Sequence, residues 1–435
     1  LERDRSFLNF EAGHYKQSLK SIGSALSINP GQEDLAHLKA KVLAKLGQTN
    51  NAIQLLSQFI NDQPNDAQSL LQRGQLFIQL AAYPKAIDDF RSAASVTPKN
   101  EAIFLALAKA HQATKAYKLA VIAYSTVLDL NPTNTDALWQ RSIIYQQINQ
   151  PKTGIEDLTR LITQQPNNHA AYQLRAAMYA QLGRHKLALE DNQRVDNLST
   201  QSADSQLQRG ISLHALKQYS EAQQQFDTLI QHHPKMPDAY LARGKTNTAL
   251  KQYDAAIKDY NHAKQLNPST DIHLLRGDAF AKQQKYQLAI QDYQQSINHK
   301  KQLALSYFQR GKLYLEIDEY IKALHDLNEA LTLSPTNTDM LIARGNTLLS
   351  LGRLEEAQSD YQKASGISPN IADTYLGSGK IHHLKNQLNE ATKAFSQSLE
   401  HQKSASAFPL RGNVYKEQNK PALAISVYST ALDLQ

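Results

Sequence analysis

Seven times in this chain an arginine is followed sixteen residues later by an aspartate: Arg73 and Asp89, Arg141 and Asp157, Arg175 and Asp191, Arg243 and Asp259, Arg276 and Asp292, Arg310 and Asp326, Arg344 and Asp360. Arg5, Arg209 and Arg411 stand at the equivalent places without the aspartate, and no aspartate stands there without the arginine. The chemistry in question is charge pairing, because the planar fork of a guanidinium fits a carboxylate with two parallel hydrogen bonds. Covariation inside one chain points to a repeated structural pair, so these charges are set aside before a ligand surface is drawn. Other reactive patterns fail on spacing. Gly377-Ser378-Gly379-Lys380 resembles the end of a phosphate-binding loop, but Thr374 and Ile381 occupy the places where that loop needs glycine and a hydroxyl residue. The 15 histidines include no HExxH and no i, i+4 pair, and adjacent His232-His233 and His382-His383 point in different directions on a helix. No nucleophile sits on a recognisable strained turn. No catalytic, cofactor-binding or metal-binding residue is therefore expected.

The elements that position these residues follow from a ruler of prolines. Pro30, Pro64, Pro98, Pro132 and Pro166 are 34 residues apart, and Pro234, Pro268, Pro335 and Pro369 continue the series with one residue lost. Repeats are numbered here so that these prolines hold position 32, which puts the paired arginine at position 7 and the aspartate at 23. Position 8 is small (Gly74, Ala108, Gly210, Gly244, Gly277, Gly311, Gly345, Gly379), and so is position 20 (Ala52, Ala86, Ala120, Ala256, Ala289). Position 24 prefers a ring (Phe90, Tyr124, Phe226, Tyr260, Tyr293, Tyr361), and position 17 is often tyrosine. Apolar residues between these columns recur at i, i+3, i+4 and i+7, the period of an amphipathic helix. Glycine inside a helix costs roughly 1 kcal/mol against alanine, so a column of it needs a packing reason. Two helices that cross closely at positions 8 and 20, with rings on either side, supply one. All 14 prolines keep the phase: those off the comb (Pro84, Pro151, Pro237, Pro409, Pro421) fall where a helix begins.

These columns resemble the tetratricopeptide-repeat family over the whole chain, in thirteen repeats with one-residue deletions near 269 and 404. The resemblance implies an all-α fold: an α-solenoid of antiparallel helix pairs, about 26 helices wound into a right-handed superhelix. It makes residues 1–435 one solenoid, with possible sub-blocks 1–202 and 203–435. It also implies that the first helix of each repeat lines a concave groove through positions 2, 5, 9, 12 and 13. At position 9 the chain reads Lys41, Gln75, Lys109, Ile143, Ala177, Ile211, Lys245, Asp278, Lys312, Asn346, Lys380 and Asn413. No acidic column inside the repeat matches these lysines. The lysine and asparagine set with which related arrays hold chaperone tails is not supplied by any three successive repeats.

Repeats eight to twelve follow the pattern most faithfully, so the groove is expected there. Lys245, Asp278, Lys312, Asn346 and Lys380 alternate along it, with Phe308, Ile342 and Leu376 one turn away. The function this implies is a non-catalytic scaffold for protein–protein interaction that presents the groove to a protein or extended peptide. Long arrays of this kind resemble the periplasmic parts of bacterial exopolysaccharide-export proteins. That likeness makes an envelope or secretion complex the expected setting and an anionic polysaccharide the alternative ligand. A further alternative is a regulatory arm of an enzyme whose catalytic domain lies outside this segment.

Composition sets outer limits. The chain has no cysteine, which suits an oxidising compartment such as the periplasm and removes thiol metal sites. A net charge of +7 over 435 residues, without a basic block, gives no reason to expect nucleic acid. No apolar run reaches the ~20 residues of a membrane span, and LERDRSFLNF is not a signal peptide. The chain begins at Leu1 and both ends fall inside repeats, as expected of a segment from a longer protein. One irregularity is expected, at the join of the sixth and seventh repeats. There Asn192 replaces the ring, Thr200 replaces the comb proline, and 196–205 is polar and turn-prone.

Overall fold

The computed structural model describes residues 1–29, 32–198, 202–300, 302–402 and 407–432. The comb proline Pro30, Thr200 and the deletion near residue 404 lie outside the described residues. Those described form 26 α-helices and no β-strand, two helices to each of thirteen repeats. First helices such as Ala67–Gln79 and Thr135–Gln147 have 13 residues, and second helices such as Tyr83–Val96 and Tyr253–Leu266 have 14.

Local chemistry starts and stops them. Asn134 caps Thr135–Gln147 by accepting the N–H of Ala137 at 2.8 Å, and Asp66, Asn100, Asn168 and Asn337 cap other first helices in the same way. Every first helix ends on a left-handed residue at repeat position 15, with φ between +55° and +76°. Four of these are glycine; the others include Ala81, Lys115, Lys251 and Asn386. The turn closes with two backbone hydrogen bonds, as where the Ala81 N–H donates to Ile78 and the Ala82 N–H to Phe77. A uniform turn at one place in each repeat makes every hairpin antiparallel.

The hairpin interior corrects the sequence reading in one detail. The position-24 ring does not flank the position-8 glycine; it lies on it. A Cβ at Gly244 would come within 2.6 Å of the Tyr260 ring, and one at Gly74 within 2.4 Å of Phe90. The same ring also meets position 6 of the following first helix, since a Cβ at Gly377 would be 2.2 Å from Tyr361. The ring is thus the key between two repeats as well as within one. Phe90, Phe226 and Phe395 are fully buried, each contributing about 1.5–3 kcal/mol.

The chain forms two compact units, Leu1–Lys217 and Gln218–Gln435. In the first, a continuous apolar core runs from Leu70 to Met178. Near its end Asn192 takes the ring's place, 1% exposed, with neither amide atom hydrogen-bonded among the described residues. In the second, smaller clusters succeed one another around Tyr260, Tyr293, Tyr361 and Phe395.

Candidate partner-binding site

A ligand surface is what remains after the scaffold has used its own polar groups, and the seven paired arginines are used in full. In all seven pairs the guanidinium grips the aspartate with two bonds, Nε to Oδ2 at 2.6–3.0 Å and Nη2 to Oδ1 at 2.6–2.8 Å. The aspartates are buried, Asp326 to 1% exposure. Hydrogen bonds to Asp259 hold the Arg243 guanidinium above its already high ordinary pKa.

A third bond from each arginine escaped the sequence reading. Nη1 donates to position 25 of the preceding repeat: Ser57, Ser125, Thr159, Asp227, Asn261, Gln294 and Asn328. Each arginine therefore clips three helices from two repeats. The signal was present in the sequence. Where position 7 is Leu107 in place of arginine, position 25 of the repeat before it is Arg91, a residue that could not accept the bond.

Position 9 divides by chemistry. The Asp278 carboxylate accepts the Tyr293 hydroxyl at 2.8 Å, Asn346 accepts that of Tyr361 at 2.7 Å, and Asn413 that of Tyr428 at 2.6 Å. Where lysine holds position 9 beneath a tyrosine, position 12 takes over. Gln112 accepts from Tyr124 at 2.8 Å, and Thr248 pairs with Tyr260 at 2.9 Å. Burial pushes the Tyr260 phenol up to about 12 and lifts the Asp278 carboxyl above the usual carboxylate range. Asp278 and Asn346 are thus committed to holding rings.

The other groove residues are placed as follows. Lys245 and Lys312 are exposed and Lys380 is half-buried; among the described residues none of the three has an ion-pair partner. Lys312 Nζ lies 5.2 Å from the centroid of the partly buried Phe308 ring. Ile342 is buried and Leu376 packs between two apolar clusters, so both are more core than ledge. Position 9 also has an acidic counterpart that inspection within single repeats missed. Lys109 pairs at 2.8 Å with Asp136, at position 2 of the next repeat.

In the first unit the first helices border two hollows. One, of about 440 Å³, lies among Gln75, Ile78, Ala102, Leu105, Ala106 and Lys109. The other, of about 250 Å³, lies among Ala40, Lys41, Leu56, Gln72 and Leu76. A cluster of His37, Asp66 and Ser69 has the composition of a hydrolytic triad but not its geometry. Nε2 of His37 meets both Asp66 Oδ2, at 2.8 Å, and Ser69 Oγ, at 3.0 Å, so no proton relay runs through the ring, and Asp66 is a helix cap. Among the described residues no three His, Asp or Glu side chains cluster as metal ligands would.

Family models agree with this architecture along the chain. One for the N-terminal TPR repeat region of Psidin matches residues 7–140, and two tetratricopeptide-repeat models match 207–271 with 240–301 and 304–337 with 338–371. The chain is a tetratricopeptide-repeat protein. In fold it is similar to other tetratricopeptide-repeat (TPR) structures at low identity. One is the yeast Tom70 crystal structure (15% identity, 98% of each chain, TM-score 0.47). Another is the APC/C hetero-tetramer Cut9–Hcn1 (15% identity, 99% of this chain and 92% of that one, TM-score 0.47). A third is Naa15/Naa10 bound to HypK-THB (16% identity, 98% of this chain and 74% of that one, TM-score 0.44). No curated protein sequence matches this TPR chain significantly. No helix among its described residues is long and apolar enough to cross a membrane.

Proposed function

We propose that this TPR chain is a non-catalytic protein-interaction scaffold whose first helices hold an extended polypeptide, with Lys245, Lys312 and Lys380 as cationic contacts in repeats eight to twelve. The observation that supports the reading is the division of charge. The seven paired arginines are consumed by three-helix clips, whereas these lysines are left without ion-pair partners among the described residues, one of them over the apolar face of Phe308. Spaced cations, one of them beside the apolar ring of Phe308, suit a chain that carries acidic residues with an apolar one among them. Asp238, Asp339 and Asp373 stand in the first turns of first helices of the same repeats, which disfavours a polyanion such as an exported polysaccharide. The cysteine-free composition suits a bacterial envelope or secretion complex, where thiols are oxidised.

The test is binding of an array of overlapping peptides to the chain and to the triple variant Lys245→Glu, Lys312→Glu, Lys380→Glu. Acidic-apolar peptides should bind the parent and bind the variant less, with the gap widening as salt is lowered. Thermal stability should hardly move. Equal binding by both proteins would place the ligand elsewhere.

A further inference from the structure

The smaller hollow of the first unit has a feature that the scaffold does not explain. Gln72, at position 6 of the third repeat, is 6% exposed, and neither its amide nitrogen nor its amide oxygen is hydrogen-bonded among the described residues. A buried, unpaired amide is costly, so its persistence calls for a reason.

Two substitutions in the preceding repeat create the situation. Position 24 there is Leu56 in place of the usual ring, and the ring elsewhere fills the space between position 8 and the next position 6. With Leu56 below and Ala40 beside it, about 250 Å³ stays open. A water takes ~30 Å³ of liquid, so the space admits a side chain and not merely one solvent molecule. Position 12, in turn, is Ala44. Two repeats on, the equivalent amide is Gln140, and it accepts from position 12, Gln112 Nε2, at 3.1 Å. Gln72 has no such neighbour. Where leucine replaces the ring in other repeats, as at Leu158 and Leu327, the facing position 6 is Leu174 or Ala343, which needs no partner. Of the repeats that carry leucine in the ring's place, only the second faces an amide; the sixth, which faces Gln208, carries the polar Asn192 there instead.

We infer that this hollow is a pocket for a carboxamide, the side chain of an asparagine or glutamine on the bound polypeptide. This deepens the reading above and rests on it, since it assumes that a polypeptide follows the first helices. The chemistry selects the class. Gln72 offers one donor and one acceptor side by side, and a carboxamide answers both. A carboxylate would satisfy the nitrogen and repel the oxygen, while an ammonium would satisfy only the oxygen and meet Lys41 and Lys45 at the rim. An apolar side chain would satisfy neither. The two exposed lysines favour acidic neighbours on either side of the amide.

The probe is the capped tripeptide acetyl-Asp-Gln-Asp-amide, compared with its Leu-centred and Glu-centred analogues by saturation-transfer NMR on the whole chain. Two hydrogen bonds should favour the Gln peptide by roughly tenfold over either analogue. Gln72→Leu should abolish that preference and raise the melting temperature, because leucine already serves at position 6 in other repeats. Ala44→Gln should do the same by giving Gln72 the partner that Gln112 gives Gln140. A missing preference, or one that survives Gln72→Leu, would assign the amide to ordered water and overturn the pocket. If the peptide array is still captured through Lys245, Lys312 and Lys380, the pocket alone has failed; if it is not, the groove reading has failed too.

Discussion

The first helices of repeats two to six and of repeats eight to twelve share one backbone plan but present different surfaces. In the earlier set position 24 reads Leu56, Phe90, Tyr124, Leu158 and Asn192, so three of five repeats lack the ring. In the later set it reads Tyr260, Tyr293, Leu327, Tyr361 and Phe395, so one of five does. Complete rings draw Asp278 and Asn346 down as acceptors and leave lysines as the polar groups facing outward. Missing rings leave an open hollow at Leu56 and a buried amide at Asn192. The lesson concerns division of labour. Loss of the ring at Leu56 opens a hollow beside an unpaired amide, whereas the larger hollow beside Phe90 forms with the ring in place. What the lost key adds is therefore unspent polarity and not depth alone.

The strongest way to break that picture is to attack what both regions have in common. Asp157→Ala in the earlier region and Asp326→Ala in the later one each strand a guanidinium among three helices. Each should cost about 3–5 kcal/mol in urea titration, because the remaining charge is unpaired and largely buried. A loss below ~1 kcal/mol would mean that the clips act like exposed surface pairs.

The rings can then be tested in opposite directions. Asn192→Leu removes a buried, unpartnered amide and should stabilise by about 1–3 kcal/mol, read as a higher melting temperature. Gly244→Ala pushes a methyl to 2.6 Å from the Tyr260 ring and should destabilise by about 1–3 kcal/mol. If both changes were neutral, the position-24 ring would not be the key that separates the two regions.

The smallest effect sharpens the comparison by probing a feature identical in both. Lys251→Gly and Ala81→Gly each relieve a left-handed side-chain residue at the hairpin turn, worth ~1–2 kcal/mol. Part of that is returned through the looser unfolded chain. A net gain of about 0.5–1 kcal/mol at either site, by thermal melting, is expected. A loss would show that the turn is held by contacts of those side chains.

Much of this molecule was legible in its residues. The proline ruler, the small columns at positions 8 and 20 and the Arg–Asp covariation are local or strictly periodic, and a solenoid repeat meets only its neighbours. The helix count and the ion pairs therefore followed from reading one repeat against the next. The candidate site was less legible. Asp278 and Asn346 read as ligand groups because their tyrosine partners lie fifteen residues away, and Ile342 and Leu376 read as ledges because burial is not a property of sequence position.

By itself, then, the sequence determined the all-α repeat architecture, the place of every hairpin turn and the seven paired charges, since each depends on residues within one period. Only the tertiary structure decided which polar groups are already spent. The third bond of each arginine, the ring shared between position 8 and the next position 6, and the stranded amide of Gln72 all arise where side chains of two repeats meet. There the outcome turns on a few ångströms of side-chain volume and on hydrogen-bond geometry, which residue types in a column do not specify.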